Sequence, residues 1–309
     1  MIRQIGFEEV VRDDRAVLTT GTFDGVHLGH QAILRYLVGR AQEVGGVSTV
    51  VTFDPHPREV LGGPPVPLLT TLDERADLVE ALGVERFVVL PFTRDLSLLE
   101  PEAYVEEVLL GQVGLREIVI GHDHRFGRHR RGDHALLEAL GARHGFTVDV
   151  IPEQVVKGVT VSSTQVRQAL QESGDARQAA ALLGRPYSFA GTVVRGDQRG
   201  RVLGFPTANL RPQHPRKLLP KPGVYAVRCE ARPGRFDGMM NVGRRPTFET
   251  DGAVQAEVHL FGFGGDLYGM ALRVHVVERL RDEQKFGGVE ALIAQLHEDR
   301  AQAARALAG

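Results

Sequence analysis

The rhythm of apolar segments changes once along the chain, and this change constrains the fold more than any other feature of the sequence. In the first half, short segments rich in β-branched residues alternate with stretches of helical periodicity. The predicted strands are 15–21, 47–53, 86–92, 116–121 and 146–151, and the predicted helices lie near 30–43, 71–82, 101–111 and 133–144. Alternation at this spacing predicts an α/β domain built on a doubly wound parallel sheet.

The second half has strands without intervening helices. From Gly184–Arg185–Pro186 onward, Gly and Pro separate the predicted strands 188–195, 223–231, 236–242, 253–261 and 271–280. This pattern predicts a small antiparallel barrel. Near the C terminus, helical spacing predicts one amphipathic α-helix that packs on the barrel through Val289, Leu292, Ile293 and Leu296. We therefore predict two domains, residues 1–184 and 185–309.

Composition narrows the class of protein. The chain has 309 residues, a net charge of −2 and a single cysteine, Cys229, so it has no disulfide within the chain and no large basic surface for nucleic acid. We find no charged-then-apolar signal segment and no run of about 20 apolar residues, so we expect a cytoplasmic protein. Only four of the 37 basic residues are lysines. Phosphate sites must therefore rest mainly on Arg, His, backbone amides and metal.

The most informative local motif is "TFDGVHLGHQAIL", where His27 and His30 flank Gly29 at the start of a predicted helix. On a helix start the two histidines share one face, and the free N–H groups there suit a phosphate. Zinc is an open alternative, because further ligands are available: His122, His124, His129 and His134. Histidines that only pack are the third possibility.

Other loops point to the same edge of the sheet. "GTFDGVHLGH", "FDPHP" and "GHDHRFG" each follow a predicted strand directly, and ligands of such sheets bind beyond the carboxyl ends of the strands. In "VTVSSTQVRQAL", Ser162, Ser163 and Thr164 precede a helical pattern with Arg167 one turn inside. These hydroxyls can serve as helix caps or, with the arginine, as a triphosphate cradle.

The second half has its own candidate site. The Gly-rich segment 196–210 lacks the Walker sequence, yet the backbone near Gly200 and Gly204 could hold phosphates. Thr207 and Asn209 offer neutral oxygens for Mg²⁺, although a simple turn is the alternative. Strand 253–261 alternates, so Glu257 is either a solvated residue of its polar face or a general base.

Eight motifs together resemble the bacterial bifunctional riboflavin kinase/FMN adenylyltransferase family, also called FAD synthetase. In chain order they are "GTFDGVHLGHQAIL", "TFDPHP", "VSSTQVRQAL", "GRVLGFPTANL", "PGVYAV", "NVGRRPTF", "EVHLF" and "LRDEQKF". The resemblance implies a Rossmann-like nucleotidyltransferase domain that transfers AMP from ATP to FMN, giving FAD and pyrophosphate. It also implies a six-stranded Greek-key barrel that phosphorylates riboflavin with ATP to FMN.

For the N-terminal domain, the resemblance implies that the HxGH pattern of His27, Gly29 and His30 binds and neutralises the triphosphate. It implies further nucleotide or flavin contacts at Gly21, Phe23, Asp24, Pro55, His56, Pro57, Gly121, Asp123, Arg125, Phe126, Ser162, Ser163, Thr164 and Arg167. The chain departs from the family at Gln165, where relatives usually carry Arg, and at His124, where Phe is usual.

For the C-terminal domain, the resemblance implies that Glu257 is the base for the terminal hydroxyl of riboflavin. Thr207 and Asn209 would lie at Mg²⁺, beside an ATP loop that includes Gly200, Gly204 and Pro206. Three residues would lie near the flavin: Arg281, Glu283 and Phe286. The expected partners are riboflavin, FMN and ATP with Mg²⁺, without nucleic acid or membrane, and weak self-association is possible.

Two other hypotheses stay open at this point. A monofunctional adenylyltransferase with a flavin-binding C-terminal module requires Glu257, Thr207 or Asn209 to be idle. A non-enzymatic flavin- or RNA-binding protein predicts a basic patch or aromatic platforms. The slight acidic balance, the absence of Trp and an aromatic content of 6% argue against the latter.

Overall fold

The computed structural model describes residues 1–156, 158–196, 200, 203–232, 234–244 and 254–308. The chain divides into two compact units, Met1–Ser162 and Ser163–Gly309. Each unit is described separately below.

The first unit contains a six-stranded parallel sheet. Its strands are β1 (Ile2–Ile5), β2 (Ala16–Thr20), β3 (Val47–Asp54), β4 (Arg86–Pro91), β5 (Leu115–Gly121) and β6 (Thr147–Ile151), in the order β1-β4-β3-β2-β5-β6. All five strand pairs are parallel. The predicted doubly wound sheet is confirmed, and β1 is an additional strand that the sequence analysis did not predict. A two-stranded hairpin of β7 (Val155–Val156) and β8 (Val159–Thr160) follows the sheet.

Helices connect the strands of the first unit. They are α1 (Leu28–Val44), α2 (Pro57–Val60), α3 (Leu72–Ala81), α4 (Arg94–Leu98), α5 (Pro101–Ala103), which continues as a π-helical segment (Tyr104–Val113), and α6 (His134–His144). Local chemistry sets their ends. α1 stops at Gly45, which adopts the left-handed conformation of a C-cap, and α3 begins with a capping box between Thr71 and Glu74.

Alternate residues of the sheet bury their side chains on opposite faces. Val17 and Val50 pack with α1 and α3 residues, whereas their neighbours Leu18 and Val51 pack against the π-helical segment and α6. Both faces of a parallel sheet with helices on each side are buried, so its strands read as continuous apolar runs. This two-sided core holds the carboxyl ends of β2, β3 and β5 in fixed positions.

The second unit contains a closed six-stranded antiparallel barrel. Its strands are β9 (Tyr187–Val194), β10 (Ala208–Pro212), β11 (Gly223–Ala231), β12 (Gly234–Arg244), β13 (Val254–Leu260) and β14 (Ala271–Arg281), arranged β10-β13-β12-β11-β14-β9. β11, β12 and β13 are consecutive neighbours, and β14 returns to lie beside β11, which is a Greek key. The barrel prediction is confirmed, with β10 as the strand that periodicity did not reveal.

The helices described in full in the second unit are α7 (Ser163–Gln168), which continues as a π-helical segment (Ala169–Ser173), α8 (Ala176–Leu183) and α9 (Val289–Leu307). The predicted terminal helix is present and contacts β11, β12 and β14. Its packed face lies further along the chain than predicted. Val289 is 60% exposed, whereas Ala303 and Leu307 are buried in a cluster that also contacts Leu296. Among the helices of the described ranges, none is long and apolar enough to cross a membrane.

Candidate functional sites

A cavity of about 990 Å³ lies in the first unit where the order of the sheet strands reverses. From β2 the chain proceeds through β3 and β4 on one side, and β5 then pairs with β2 on the other side. Such switch points are where open α/β sheets bind ligands. The cavity is lined by twelve residues that the sequence analysis named as contacts of the nucleotide or flavin: Gly21, Phe23, His27, Gly29, His30, His56, Pro57, Gly121, Asp123, Arg125, Phe126 and Ser162.

The histidine pair stands at the start of α1. His27 caps the helix, because its Nδ1 accepts a hydrogen bond from the His30 N–H at 3.3 Å. The two rings stack with centroids 3.6 Å apart and planes inclined by 18°. A Cβ on Gly29 would lie 3.2 Å from the His27 ring, so glycine leaves room for this stack. The pair thus forms one rigid surface at the positive end of a long helix.

Burial controls the charge of His30. Its pKa lies well below the ordinary value because of desolvation, and the positive charges of His27 and Arg75 lower it further. Its Nδ1 has no hydrogen-bond partner among the described residues. His30 is therefore a neutral imidazole near pH 7, and it can donate or accept a hydrogen bond without a full positive charge.

The geometry of the pair argues against zinc. His27 Nδ1 already accepts the His30 N–H, so this nitrogen lone pair is not available to a metal ion. His122, one of the proposed extra ligands, is exposed and lies 3.9 Å from Glu153 instead. Over the described residues, no group of three or more His, Cys, Asp or Glu side chains is arranged to hold a metal ion. A phosphate at this helix start stays a prediction.

Asp24 is an anchor of the loop between β2 and α1. Its side chain is 1% exposed and accepts hydrogen bonds from the backbone N–H groups of Leu69 (3.1 Å) and Thr70 (2.8 Å). The Thr70 hydroxyl donates to the same carboxylate at 3.0 Å. The flanking residues Phe23 and Val26 have φ angles of 47° and 40°, a conformation that costs energy outside glycine. Asp24 is not among the residues that line the cavity, so its predicted ligand contact stays a prediction.

The "FDPHP" segment reaches the cavity after β3. Asp54–Pro55 is a cis peptide bond, and His56 Nδ1 accepts a hydrogen bond from the Arg58 N–H at 3.2 Å as the cap of α2. His56 and Pro57 line the cavity, whereas Pro55 does not. The segment therefore contributes the rings of Phe53, His56 and Pro57 to the site.

The loop after β5 is compact and basic. Phe126 and Gly132 pair as an isolated bridge that closes it, and a Cβ on Gly132 would collide with the Phe126 ring. Arg125 donates to Asp133 at 2.8 Å. His124 stacks on Phe126 with centroids 5.8 Å apart, and burial lowers its pKa to about 4. The imidazole that replaces the family's usual Phe is thus neutral and keeps an aromatic contact.

The hydroxyl motif spans the division between the units. Ser162 lines the cavity, whereas Ser163, Thr164 and Arg167 belong to α7, the first helix of the second unit. The predicted triphosphate contacts of these three α7 residues stay a prediction.

Sequence reasoning missed several residues of this cavity. Tyr104 lines it and shares a 3.0 Å hydrogen bond with the Thr20 hydroxyl, and burial raises the pKa of Tyr104 to about 12. Four arginines outside the predicted set also line it: Arg58, Arg94, Arg128 and Arg130. Arg128 and Arg130 could have been found from the basic run "RFGRHRR", which does not include Arg58 or Arg94. The lining described here contains no lysine, as expected for phosphate sites based on Arg and His.

A second candidate site lies on the barrel. Glu257 of β13 is directly opposite Asn209 of β10 on one side and Asn241 of β12 on the other. Residues opposite each other in adjacent strands place their side chains on one face of the sheet. The Thr207 hydroxyl lies 3.5 Å from Glu257 Oε2. The structure therefore brings the three predicted residues together and adds Asn241, which the sequence analysis missed.

Gly196 and Gly200 lie close to this row of side chains. A Cβ on Gly196 would collide with the Asn209 amide, and one on Gly200 would lie 3.3 Å from Thr207 Oγ1. Gly204 has φ 81°, a left-handed conformation that favours glycine. The Pro206 carbonyl accepts a 2.8 Å hydrogen bond from His259 Nδ1. His259 is 8% exposed, so this part of the polar face of β13 is covered rather than solvated.

The three residues predicted near the flavin lie at and after the end of β14. Arg281 forms a bidentate ion pair with Asp299 of α9, with both N–O distances 2.7 Å. Its guanidinium also lies over the Phe286 ring, 5.8 Å from the centroid. Glu283 accepts a hydrogen bond from Asn241 Nδ2 at 3.4 Å, which connects this loop to the row that contains Glu257.

Comparison with known proteins identifies the family. A family model described as FAD synthetase matches residues 10–165, and one described as riboflavin kinase matches residues 183–307. Proteins called bifunctional riboflavin kinase/FMN adenylyltransferase from Pseudomonas fluorescens and Escherichia coli (strain K12) are 42% and 35% identical to this chain. These alignments cover 94% and 97% of this chain and 93% and 95% of the two relatives. The chain belongs to the bifunctional riboflavin kinase/FMN adenylyltransferase family, with the two domains in the predicted order.

A solved structure agrees with this fold over the whole chain. A crystal structure named as a macrolide-efflux protein from Streptococcus pneumoniae aligns with a TM-score of 0.87 at 31% identity. The alignment covers 97% of this chain and 98% of that chain.

Proposed function

We propose that this chain makes FMN from riboflavin and ATP in its C-terminal domain and FAD from FMN and ATP in its N-terminal domain. The observation that carries the proposal is the presence of two separate candidate sites in one chain of this family. One is the cavity at the start of α1, and the other is the row of Asn209, Glu257 and Asn241 with Thr207 beside it.

In adenylyl transfer, an oxygen of the FMN phosphate bonds to the α-phosphorus of ATP. The bond from this phosphorus to the bridging oxygen breaks, and pyrophosphate leaves. His27 and His30 donate hydrogen bonds to the phosphate oxygens as charge shifts toward the leaving group. Because His30 is neutral, most positive charge in the cavity comes from arginines. Ser163, Thr164 and Arg167 add contacts to the nucleotide.

The cavity also has to receive the flavin phosphate. His56, Pro57 and the loop after β5 form the flavin side of the site, with Phe126 and His124 as its aromatic surface. Asp123 and Arg125 provide polar contacts near Gly121. These assignments follow the resemblance to the family and the position of the residues at the cavity wall.

In the kinase reaction, the terminal hydroxyl of riboflavin attacks the γ-phosphorus of ATP and ADP leaves. Glu257 orients this hydroxyl and accepts its proton late, as the new P–O bond forms. Thr207 and Asn209 offer the neutral oxygens that Mg²⁺ prefers, and they lie next to the Glu257 carboxylate. When Mg²⁺ is bound there, it supplies positive charge that offsets the ATP phosphates.

Product analysis tests the proposal. The purified chain is incubated with riboflavin, ATP and Mg²⁺, and the flavins are separated by chromatography. We expect FMN first and FAD later. The absence of both products would refute the proposal. Formation of FAD from supplied FMN, without FMN from riboflavin, would favour a monofunctional adenylyltransferase. Omission of Mg²⁺ with a chelator should stop FMN formation.

Two variants test the division of roles. Glu257→Gln should lower FMN formation by about 100-fold or more and spare adenylyl transfer, because only the kinase base is lost. His30→Ala should have the opposite effect. Loss of both reactions in either folded variant would show that the roles are not divided in this way.

Three finer expectations complete the proposal. We place the enzyme in the cytoplasm, and we expect weak self-association and no nucleic-acid binding. Cell fractionation, sedimentation over a range of protein concentrations and a gel-shift assay check these expectations.

A further inference from the structure

One charged residue is buried in the helix that closes the barrel. Asp299 of α9 has 0% exposure, whereas the other buried positions of this helix are Ala303 and Leu307. Its carboxylate accepts two hydrogen bonds from Arg281 at 2.7 Å each and a third from Gln295 Nε2 at 2.9 Å. The carboxylate is therefore fully engaged by donors with good geometry.

Stability alone is a weak reason for such a pair. Removing two charges from water costs several kcal/mol per ion, and well-packed apolar residues often give equal or greater stability. An apolar pair could not fix the orientation of the side chain at position 281. The planar guanidinium matches a carboxylate in one bidentate arrangement, so Asp299 fixes both the position and the tilt of Arg281.

The oriented arginine holds the segment that follows β14, residues 282–288, which we call the β14–α9 loop. The guanidinium lies over the Phe286 ring and donates to the Asp282 carbonyl at 2.9 Å. Gln284 Nε2 donates to Gln295 Oε1 at 3.1 Å, a second connection between this loop and α9. The loop itself is largely exposed, so these contacts limit its conformations.

The same loop reaches the candidate kinase site. Glu283 accepts a hydrogen bond from Asn241, and Asn241 is the residue opposite Glu257 in the neighbouring strand. A fixed β14–α9 loop therefore presents Phe286, Glu283 and Arg281 in one arrangement beside the proposed base. A site that is already ordered loses less conformational entropy when its ligand binds.

We propose that Asp299 is a positioning residue for the flavin: through Arg281 it fixes the β14–α9 loop in the arrangement that receives riboflavin. This inference rests on the proposed kinase function of the barrel and adds a residue on α9 that does not itself touch the substrate. It predicts that Asp299 controls the affinity for riboflavin and leaves the ATP side of the reaction unchanged.

A double-mutant cycle with Arg281→Met, Asp299→Leu and the double variant tests it in the full-length chain. We expect the riboflavin KM to rise about tenfold in each variant, which corresponds to about 1.4 kcal/mol of binding free energy. The rise in the double variant should equal that of Arg281→Met alone, because Asp299 acts through Arg281. The ATP KM and kcat at saturating riboflavin should change by less than about threefold.

Urea unfolding of the same proteins separates positioning from stability. Asp299→Leu leaves a half-buried guanidinium without its carboxylate, whereas the double variant removes both charges and should recover stability. If the riboflavin KM recovers together with stability, or never changes, the positioning role is refuted. If Asp299→Leu does not fold, Asp299→Asn is the milder variant, because the amide keeps one acceptor oxygen. The riboflavin KM should rise in this variant as well.

Two controls complete the experiment. Glu298→Leu removes the neighbouring carboxylate of α9, which pairs with Arg305 at the surface, and should leave the riboflavin KM unchanged. A wild-type chain that makes no FMN would refute the kinase assignment itself. Wild-type FMN formation with an unchanged KM in folded Asp299→Leu would refute only the inference about Asp299.

Discussion

His27 and His30 show how burial, at the scale of single residues, decides what a side chain can do. His27 uses Nδ1 to cap α1, so in its neutral form the ring proton is on Nε2. His30 is kept neutral by desolvation and by the charges of His27 and Arg75. In the proposed reaction His30 therefore acts through hydrogen bonds, and most of the charge that offsets phosphate comes from the arginines at the cavity wall.

His124 gives a prediction about pH at the same scale. Its pKa is lowered from 6.5 to about 4 by burial, so the unfolded chain takes up a proton between these values and the folded chain does not. Stability should therefore fall as the pH falls through this window. His124→Phe removes this titration. At about pH 4.5 the variant should therefore lose up to about 2.5 kcal/mol less of its free energy of unfolding than wild type does.

Urea unfolding of wild type and His124→Phe at about pH 7.5 and about pH 4.5 measures this difference. Part of the acid sensitivity should remain in the variant, because the pKa of His30 is lowered in the same direction. An equal loss of stability in the two proteins would show that His124 does not stay neutral in the folded state.

At the scale of elements, the loop between β2 and α1 is held in place by Asp24. The loop contains two residues with left-handed backbone, so it needs a strong attachment elsewhere. Three donors from Leu69 and Thr70 converge on the Asp24 carboxylate. Asp24 thereby connects the His27–His30 loop to the segment that begins α3.

Asp24→Ala should destabilise the N-terminal unit by about 3 kcal/mol, because it leaves buried N–H groups unpaired. It should also slow FAD formation and spare FMN formation. Chemical unfolding and separate assays of the two reactions measure these effects. Asp95→Ala, at an exposed residue of α4, is the control and should change stability by less than about 0.5 kcal/mol. Normal FAD formation in folded Asp24→Ala would mean that the loop does not need this anchor.

The elements also show what the sequence could and could not predict. Strands with strong apolar periodicity and loops directly after them were predicted, because both signals are local. β10 was missed since "ANLRP" is short, ends in Pro212 and shows no alternation; its two neighbours, β9 and β13, define it. Asn241 was missed because its position opposite Glu257 depends on strand register, which no local pattern specifies.

The packed face of α9 is another feature that the sequence did not predict correctly. Helical spacing predicted the helix and a packed face that begins at Val289, yet that residue is exposed and Asp299 is buried. The reason is that Arg281 at the end of β14 provides a partner for the carboxylate. A buried acid with a distant partner has no signature in periodicity, so the sequence favoured the apolar residues at the start of the helix instead.

At the scale of the whole molecule, the sequence and the compact units place the domain boundary at different positions. The sequence predicts a boundary at 184/185, and the riboflavin kinase model begins at residue 183. The compact units divide between Ser162 and Ser163 instead, because α7 and α8 pack with the barrel unit. α8 contacts β9 and β14 and buries Leu182 and Leu183.

Two fragments distinguish these boundaries. Residues 163–309 should fold and make FMN from riboflavin, because they keep α7, α8 and the barrel together. Residues 185–309 lose the buried Leu170, Leu182 and Leu183, and full burial of each such side chain contributes about 1.5–3 kcal/mol. The sum is comparable to the total stability of many domains, about 5–15 kcal/mol. The shorter fragment should therefore be much less stable, and β14 should lose the Arg177–Glu278 ion pair that α8 provides.

Urea unfolding and the riboflavin kinase assay on both fragments decide which boundary is correct. If 185–309 matches 163–309 in stability and in FMN formation, the kinase domain begins where the sequence predicts and the two helices are a connector. If only 163–309 is stable and active, α7 and α8 belong to the kinase domain. The Ser163–Thr164 segment proposed to hold the triphosphate for adenylyl transfer would then be part of the unit that makes FMN. In that case truncation at 162 should abolish FAD formation by the N-terminal fragment even though its cavity, with His27 and His30, is intact.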